Sequence, residues 1–239
     1  MSIGFPRANG GFVKTGRVRG VAVAVSGAAV LGFALSALAS SPSATATLLG
    51  NAINLRAADL PGFTVENAPR SPTLSGGMVT GAKKCLPAAL AHAHPGVATS
   101  PFFSSGRQVV LSTVIVQPSR ALASLYLATA RNRQVQRCTG LSGGITATNP
   151  GSPPVTVHVT GFADFPFAAR GSDGTAGFRE DMTITLSGVT LQLTADSRNF
   201  AVGRVVVSLF TYGIGQAFPA ATEQRLTSVL LTRALAKLR

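Results

Sequence analysis

The chain has 239 residues, 46% of them hydrophobic, and sets 21 lysines and arginines against eight aspartates and glutamates, a formal net charge of +13. With 12% charged residues and 13 phenylalanines it is too apolar for an intrinsically disordered chain. Its two cysteines are too few for a disulfide scaffold or a cysteine-rich zinc site.

Residues 1–39 read as an export signal. Arg7, Lys14, Arg17 and Arg19 lead into the uncharged run Val21 to Ala39, which ends Ala37-Leu38-Ala39-Ser40, a small-residue cleavage pattern. The run also has about the length of a marginal membrane-spanning helix, so an uncleaved N-terminal anchor is the alternative. Its Gly, Ala and Ser content favours cleavage, and Ala44-Thr45-Ala46 offers a second site. No cysteine follows the run, which excludes a lipid-modified one. Either way, the rest of the chain is expected outside the cytoplasm, secreted or in the cell envelope. The signal takes four of the basic residues and no acidic ones, so the 200 residues after it carry +9 and suit one domain. Partners that match this charge are anionic lipid, acidic cell-wall polymers or an acidic envelope protein. Membrane contact is expected only through an uncleaved N-terminal segment, and no nucleic acid is expected. Arginines near helix C-termini account for much of the charge without a partner.

Residues 40–47 read as a flexible tether, with a single α+β domain over 48–239. Leu48 to Leu55 suggests a short helix before the turn Asp59-Leu60-Pro61-Gly62, and Phe63 to Asn67 a first strand. Leu86 to Ala93 is a second short helix, with Cys85 at its start. Val97 to Phe103 and Arg107 to Val116 form a hairpin around Ser105-Gly106. Ser119 is the N-cap of the clearest internal helix, with Leu122, Leu125, Tyr126, Thr129 and Ala130 on one face and Arg131, Arg133 and Arg137 at its end. Gly140 to Pro154 reads as an uncharged, flexible loop. Val155 to Phe162, Thr175 to Leu186, Val189 to Ser197 and Phe200 to Tyr212 follow as four strands, with Ser187-Gly188 and Ser197-Arg198-Asn199 as turns. From Pro219 the period changes to helical, Leu226, Val229, Leu230, Ala234, Leu235 and Leu238 facing in and Arg225, Arg233 and Lys237 out. The fold class is therefore α+β: an antiparallel β-sheet of about five to seven strands packed against an internal helix and a C-terminal helix.

Cys85 and Cys138, an even count in an exported chain, are expected to pair. The bond would close a loop of roughly 50 residues and staple the end of the internal helix to the loop before it.

The order Asp59-Leu60-Pro61-Gly62-Phe63, Cys85-Leu86, a helix closing on Cys138, Phe162-Ala163-Asp164 and the strand Val202-Gly203-Arg204-Val205-Val206-Val207 resembles actinobacterial secreted domains. These are the extracellular sensor domain of PknH-type kinases and the LpqN-type lipoproteins of the Mog1/PsbP-like fold. The resemblance spans most of Leu48 to Arg239. It implies an antiparallel sheet between helices with a ligand cleft, and no catalytic residues. The chain departs from the kinase sensors in having at most one disulfide, the expected one, and no kinase domain, and from the lipoproteins in having no lipid-attachment cysteine.

No catalytic, metal or cofactor site is expected. His92 and His94 have metal-ligand spacing but no third ligand in sequence, and a solvated pair explains them. His158 alternates within a strand. No G-x-S-x-G, S-x-x-K or H-E-x-x-H motif occurs. Asp164, Asp173, Glu180 and Asp181 are the carboxylates a glycosidase would draw on. Phe165 and Phe167, with Arg170 and Arg179, are the candidate ligand-binding residues, the rings for an apolar chain and the arginines for an acidic headgroup. Core packing is the alternative for the rings. The expectation is an exported, non-enzymatic envelope or secreted domain, ligand-binding and sensor-like; the alternative is an extracellular hydrolase of esters or glycans acting through Asp164 or His158.

Overall fold

A computed structural model describes residues 43–66, 84–138, 145–147, 155–186 and 188–239; residues 1–39, read as the export signal, lie outside them. Helix α1 (Ala44–Ile53) begins inside the stretch read as a tether. Ser43 caps it by accepting from the Ala46 amide at 3.1 Å, and Ala46 packs into the core, which fixes this first turn. A 3-10 turn, Ala57–Asp59, leads to β1 (Thr64–Glu66). Then come α2 (Ala88–Ala91), β2 (Gly96–Thr99), β3 (Phe102–Ser105) and β4 (Gln108–Val116). Helices α3 (Arg120–Ala130) and α4 (Arg133–Cys138) precede β5 (Ile145–Ala147), β6 (Val155–Phe165), β7 (Gly174–Leu186), β8 (Val189–Val202), β9 (Val205–Ile214) and α5 (Ala220–Leu238).

The α+β class holds. All pairings are antiparallel, in the order β1-β3-β4-β9-β8-β7-β6-β5, with β2 also on β4. The described residues hold nine strands, more than the five to seven expected. Two of the extra strands come from short pieces. Ser100-Pro101 divides the first arm of the hairpin into β2 and β3, which lie end to end along one edge of β4. Proline lacks the N–H that would continue the ladder. Strand β5 lies within the stretch read as a loop.

Strand alternation sends the side chains of β4 and β9 to two cores. On one face Val110, Val114, Val205, Val207 and Leu209 pack beneath Ile53 of α1 and Leu226, Leu230 and Ala234 of α5. On the other, Ile115 and Val206 pack with Ala201 and Phe178 beneath Ala123, Tyr126, Leu127 and Ala130 of α3. Each fully buried Leu or Val removes enough apolar surface from water for about 1.5–3 kcal/mol. Farther along this second face, Val109, Leu111, Met182, Ile184, Leu193 and Tyr212 form a third cluster. Ser119 caps α3 as expected, accepting from the Leu122 amide.

Two expectations are corrected. Ser197-Arg198-Asn199 is not a turn: β8 runs unbroken to Val202, and the chain reverses at Gly203 (φ 61°) and Arg204. Arg233 does not face solvent. It donates twice to Asp59, at 2.7 and 2.8 Å, and once to the Asn54 carbonyl, clamping α5 to the segment after α1. Burial works against the Asp59 charge, but the Arg233 bonds and the Arg56 amide outweigh it and hold the carboxyl below its ordinary value.

Candidate functional site

The continuous β8 strand builds the most concentrated polar site among the described residues. In its register Asp196 lies opposite Arg179 of β7, and Thr211 of β9 lies opposite Asp196. Two residues on, Arg198 points to the same face, toward the first turn of α5. Arg179 donates to both Asp196 oxygens, at 2.7 and 2.5 Å. Arg198 donates to Glu223 of α5 at 2.9 Å, and the Thr211 hydroxyl donates to the other Glu223 oxygen. The two ion pairs thus sit side by side across three strands and a helix.

Their environments differ. The Arg198 and Glu223 side chains are 17% and 2% exposed, whereas Arg179 is 42% exposed above a 3% exposed Asp196. Burial raises the Glu223 carboxyl above its ordinary value, against the bonds from Thr211 and Arg198. The hydrogen bonds to Asp196 raise Arg179, which keeps it charged. Phe165 and Phe167 stand 6.4 Å apart, and both rings flank the Arg198 guanidinium, at 5.1 and 5.5 Å from their centroids. Such contacts stabilise a partly desolvated cation by about 1–2 kcal/mol each. Arg198 Nε has no hydrogen-bond partner, and the rings cover it instead.

The structure therefore brings together three of the four candidate binding residues, Arg179, Phe165 and Phe167. Arg170 lies elsewhere. It is exposed, next to Gly171, which meets Leu235 and Arg239 at the far end of α5. Glu223 and Leu235 are twelve residues apart on that helix, roughly 18 Å. The central arginine is Arg198, which the turn reading hid. The signal that would have found it is the alternation of small residues Ala195, Ser197, Asn199 and Ala201 against Asp196, Arg198 and Phe200.

The opposite face carries a second polar feature. Phe178 and Glu180 on β7 and Phe210 and Tyr212 on β9 wall a hollow floored by Ala195 and Ser197 of β8. It has about 10 Å³ of open space, room for roughly one water. Glu180 is 4% exposed and its Oε1 has no partner. Burial pushes its carboxyl up to about 8, so it holds its proton at neutral pH. Tyr212, raised well above its ordinary value by burial and then by Glu180, also stays neutral.

The residues weighed for hydrolysis do not converge. His158, paired with Thr183, and Asp164, paired with Phe178, fall on opposite faces of β6 and β7. Asp164 instead lies 3.7 Å from Arg133. Glu180 and Asp181 point to opposite faces, one buried and one exposed. Asp173 is a structural link, accepting from Arg120 at 2.7 Å and from the Gly203 amide at 2.6 Å. His92 and His94 are exposed at the end of α2, and among the described residues no three potential metal ligands cluster. No described helix is long and apolar enough to cross a membrane.

No family model and no curated protein matches the chain. Among solved structures, the extracellular domain of PknH from Mycobacterium tuberculosis is similar to it at TM-score 0.38 and 13% identity, over 84% of this chain and 94% of that one.

Proposed function

We propose that the chain is an extracytoplasmic, non-enzymatic binding domain of the sensor-like type, exported by its N-terminal segment. The observation that carries this reading is the asymmetry of the Arg179–Asp196 pair: the carboxylate is buried, while the guanidinium is 42% exposed, one row along the same sheet face from Phe165, whose ring flanks Arg198 together with that of Phe167. An exposed cation held rigidly by a buried anion, next to partly exposed aromatic carbon, suits an amphiphile with an acidic headgroup. Its apolar part would lie on the rings and its acid on the free edge of Arg179. An envelope lipid or a wall fragment has that chemistry. Arg170 would meet only a ligand long enough to follow the segment along α5. The Cys85–Cys138 disulfide belongs to this reading, and no described cysteine is a free thiol.

The test is native mass spectrometry of the protein exported by its own signal. The expected spectrum shows a cleaved, oxidised chain with an adduct lost on denaturation. The paired replacement Arg179→Gln with Asp196→Asn removes the exposed cation without stranding a buried charge. It should lower adduct occupancy at least tenfold in a protein that still folds. A bare mass in every preparation, or unchanged occupancy in the double variant, would overturn the reading.

A further inference from the structure

The hollow beside Glu180 follows from the register of three strands. Tyr212, Ala195 and Glu180 lie in one row across β9, β8 and β7, and Phe210, Ser197 and Phe178 form the next. In both rows the middle residue is small and its neighbours are large. A gap opens over β8 that strand geometry cannot close, because side chains two strands apart are held roughly 10 Å apart at their bases.

The gap is polar. A chain of hydrogen bonds runs along the same face and ends at it. Ser208 donates to Asn199 Oδ1 at 2.6 Å, and Asn199 Nδ2 donates to Ser197 Oγ at 2.9 Å and to the Ala176 carbonyl at 3.1 Å. Ser197 Oγ thus accepts from Asn199, which leaves its own proton to donate into the hollow. Across from it stands Glu180, with an oxygen that nothing in the protein satisfies. A buried carboxyl oxygen without a partner is unfavourable, and the space beside it matches one oxygen atom with its hydrogens.

We infer that this hollow is a binding site for a single neutral hydroxyl oxygen, bridging Glu180 Oε1 and Ser197 Oγ against the Tyr212 ring. Two sources supply that group: a solvent water, or the hydroxyl end of a bound organic molecule. A metal cation does not fit, since one uncharged carboxyl and one hydroxyl make a poor ligand set among phenylalanines.

A crystal structure of the whole mature protein at about 1.5 Å or better tests the site. The expected result is an ordered oxygen about 2.6–3.2 Å from Glu180 Oε1. An isolated peak identifies water, and density continuing outward identifies a hydroxyl-bearing ligand; both support the site. An empty hollow, or Glu180 rotated onto a protein donor, would overturn it. In Ala195→Val the added methyls fill the floor and the peak should vanish. In Glu180→Gln it should persist, because the amide offers both a donor and an acceptor. Should Ala195→Val fail to fold, the wild-type and Glu180→Gln crystals still decide, since loss of the peak in either refutes the bridge.

Discussion

At Glu180, burial and charge oppose each other, and the fold resolves the conflict by keeping the proton. A glutamate in the unfolded chain releases its proton near 4.5, whereas folded Glu180 holds it up to about 8. Between those values the folded chain binds the extra proton, so its stability falls as pH rises from about 4.5 to 8 and then levels off. Tyr212, which also lines the hollow, stays neutral through this window. The full difference is on the order of 4–5 kcal/mol. Urea denaturation at pH 5 and pH 9 should show wild type losing several kcal/mol, with Glu180→Gln flat from this group; matching slopes would mean the carboxyl ionises freely. The Arg198–Glu223 pair makes a different demand. Arg198→Met leaves a buried carboxylate without its cation and should cost about 3–5 kcal/mol. Adding Glu223→Gln should recover much of that loss, and a double-mutant cycle measures the coupling. Additive losses would show that the two side chains stabilise the protein independently.

At the scale of elements, the turns are where small changes separate strain from collision. A methyl at Gly213 would sit 1.9 Å from the Gln216 carbonyl oxygen, where the chain leaves β9 for α5. Gly213→Ala should therefore cost about 3 kcal/mol or more, or abolish folding, because backbone must move. A methyl at Gly203 meets nothing within 4 Å, and its φ of 61° is the main obstacle. Gly203→Ala should cost only about 1 kcal/mol. Thermal melts of the two variants should rank them so; the reverse order would refute the turn geometry. The same turn explains what the sequence hid. The helical period of α5 and the Ser119 cap of α3 are local signals, and both are readable directly. Ser197-Arg198-Asn199 looks like a turn by composition, yet β8 continues because the Asn199 amide is satisfied by Ser197, Ser208 and the Ala176 carbonyl within a buried ladder. That compensation is tertiary and leaves no local trace. Three of the four candidate binding residues were legible as an aromatic and basic cluster, but Arg198 was lost with the misplaced turn, and the inward placement of Arg233 depended on Asp59, 174 residues away.

For the whole molecule, the proposed Cys85–Cys138 bond links the segment just before α2 to the end of α4. On the chain-entropy account, closing a loop of roughly 50 residues stabilises the fold by about 4 kcal/mol. Intact mass without reductant should be lower by two hydrogens, and reduction should shift the urea midpoint downward by a corresponding amount. An unchanged midpoint would show that the pair carries no stability. The sheet itself has a consequence for how such a protein is packed in numbers. Its outermost strands, β1 and β5, are each three residues long. β5, however, covers only Val155 to Val157 of β6, so among the described residues the outer edge of β6 from His158 to Phe165 has no strand partner, and an open edge recruits another copy unless charge or a bulge blunts it. The irregularity between Val159 and Gly161 and the charge of Asp164, rather than a short margin, are what guard that edge against strand-to-strand pairing of copies.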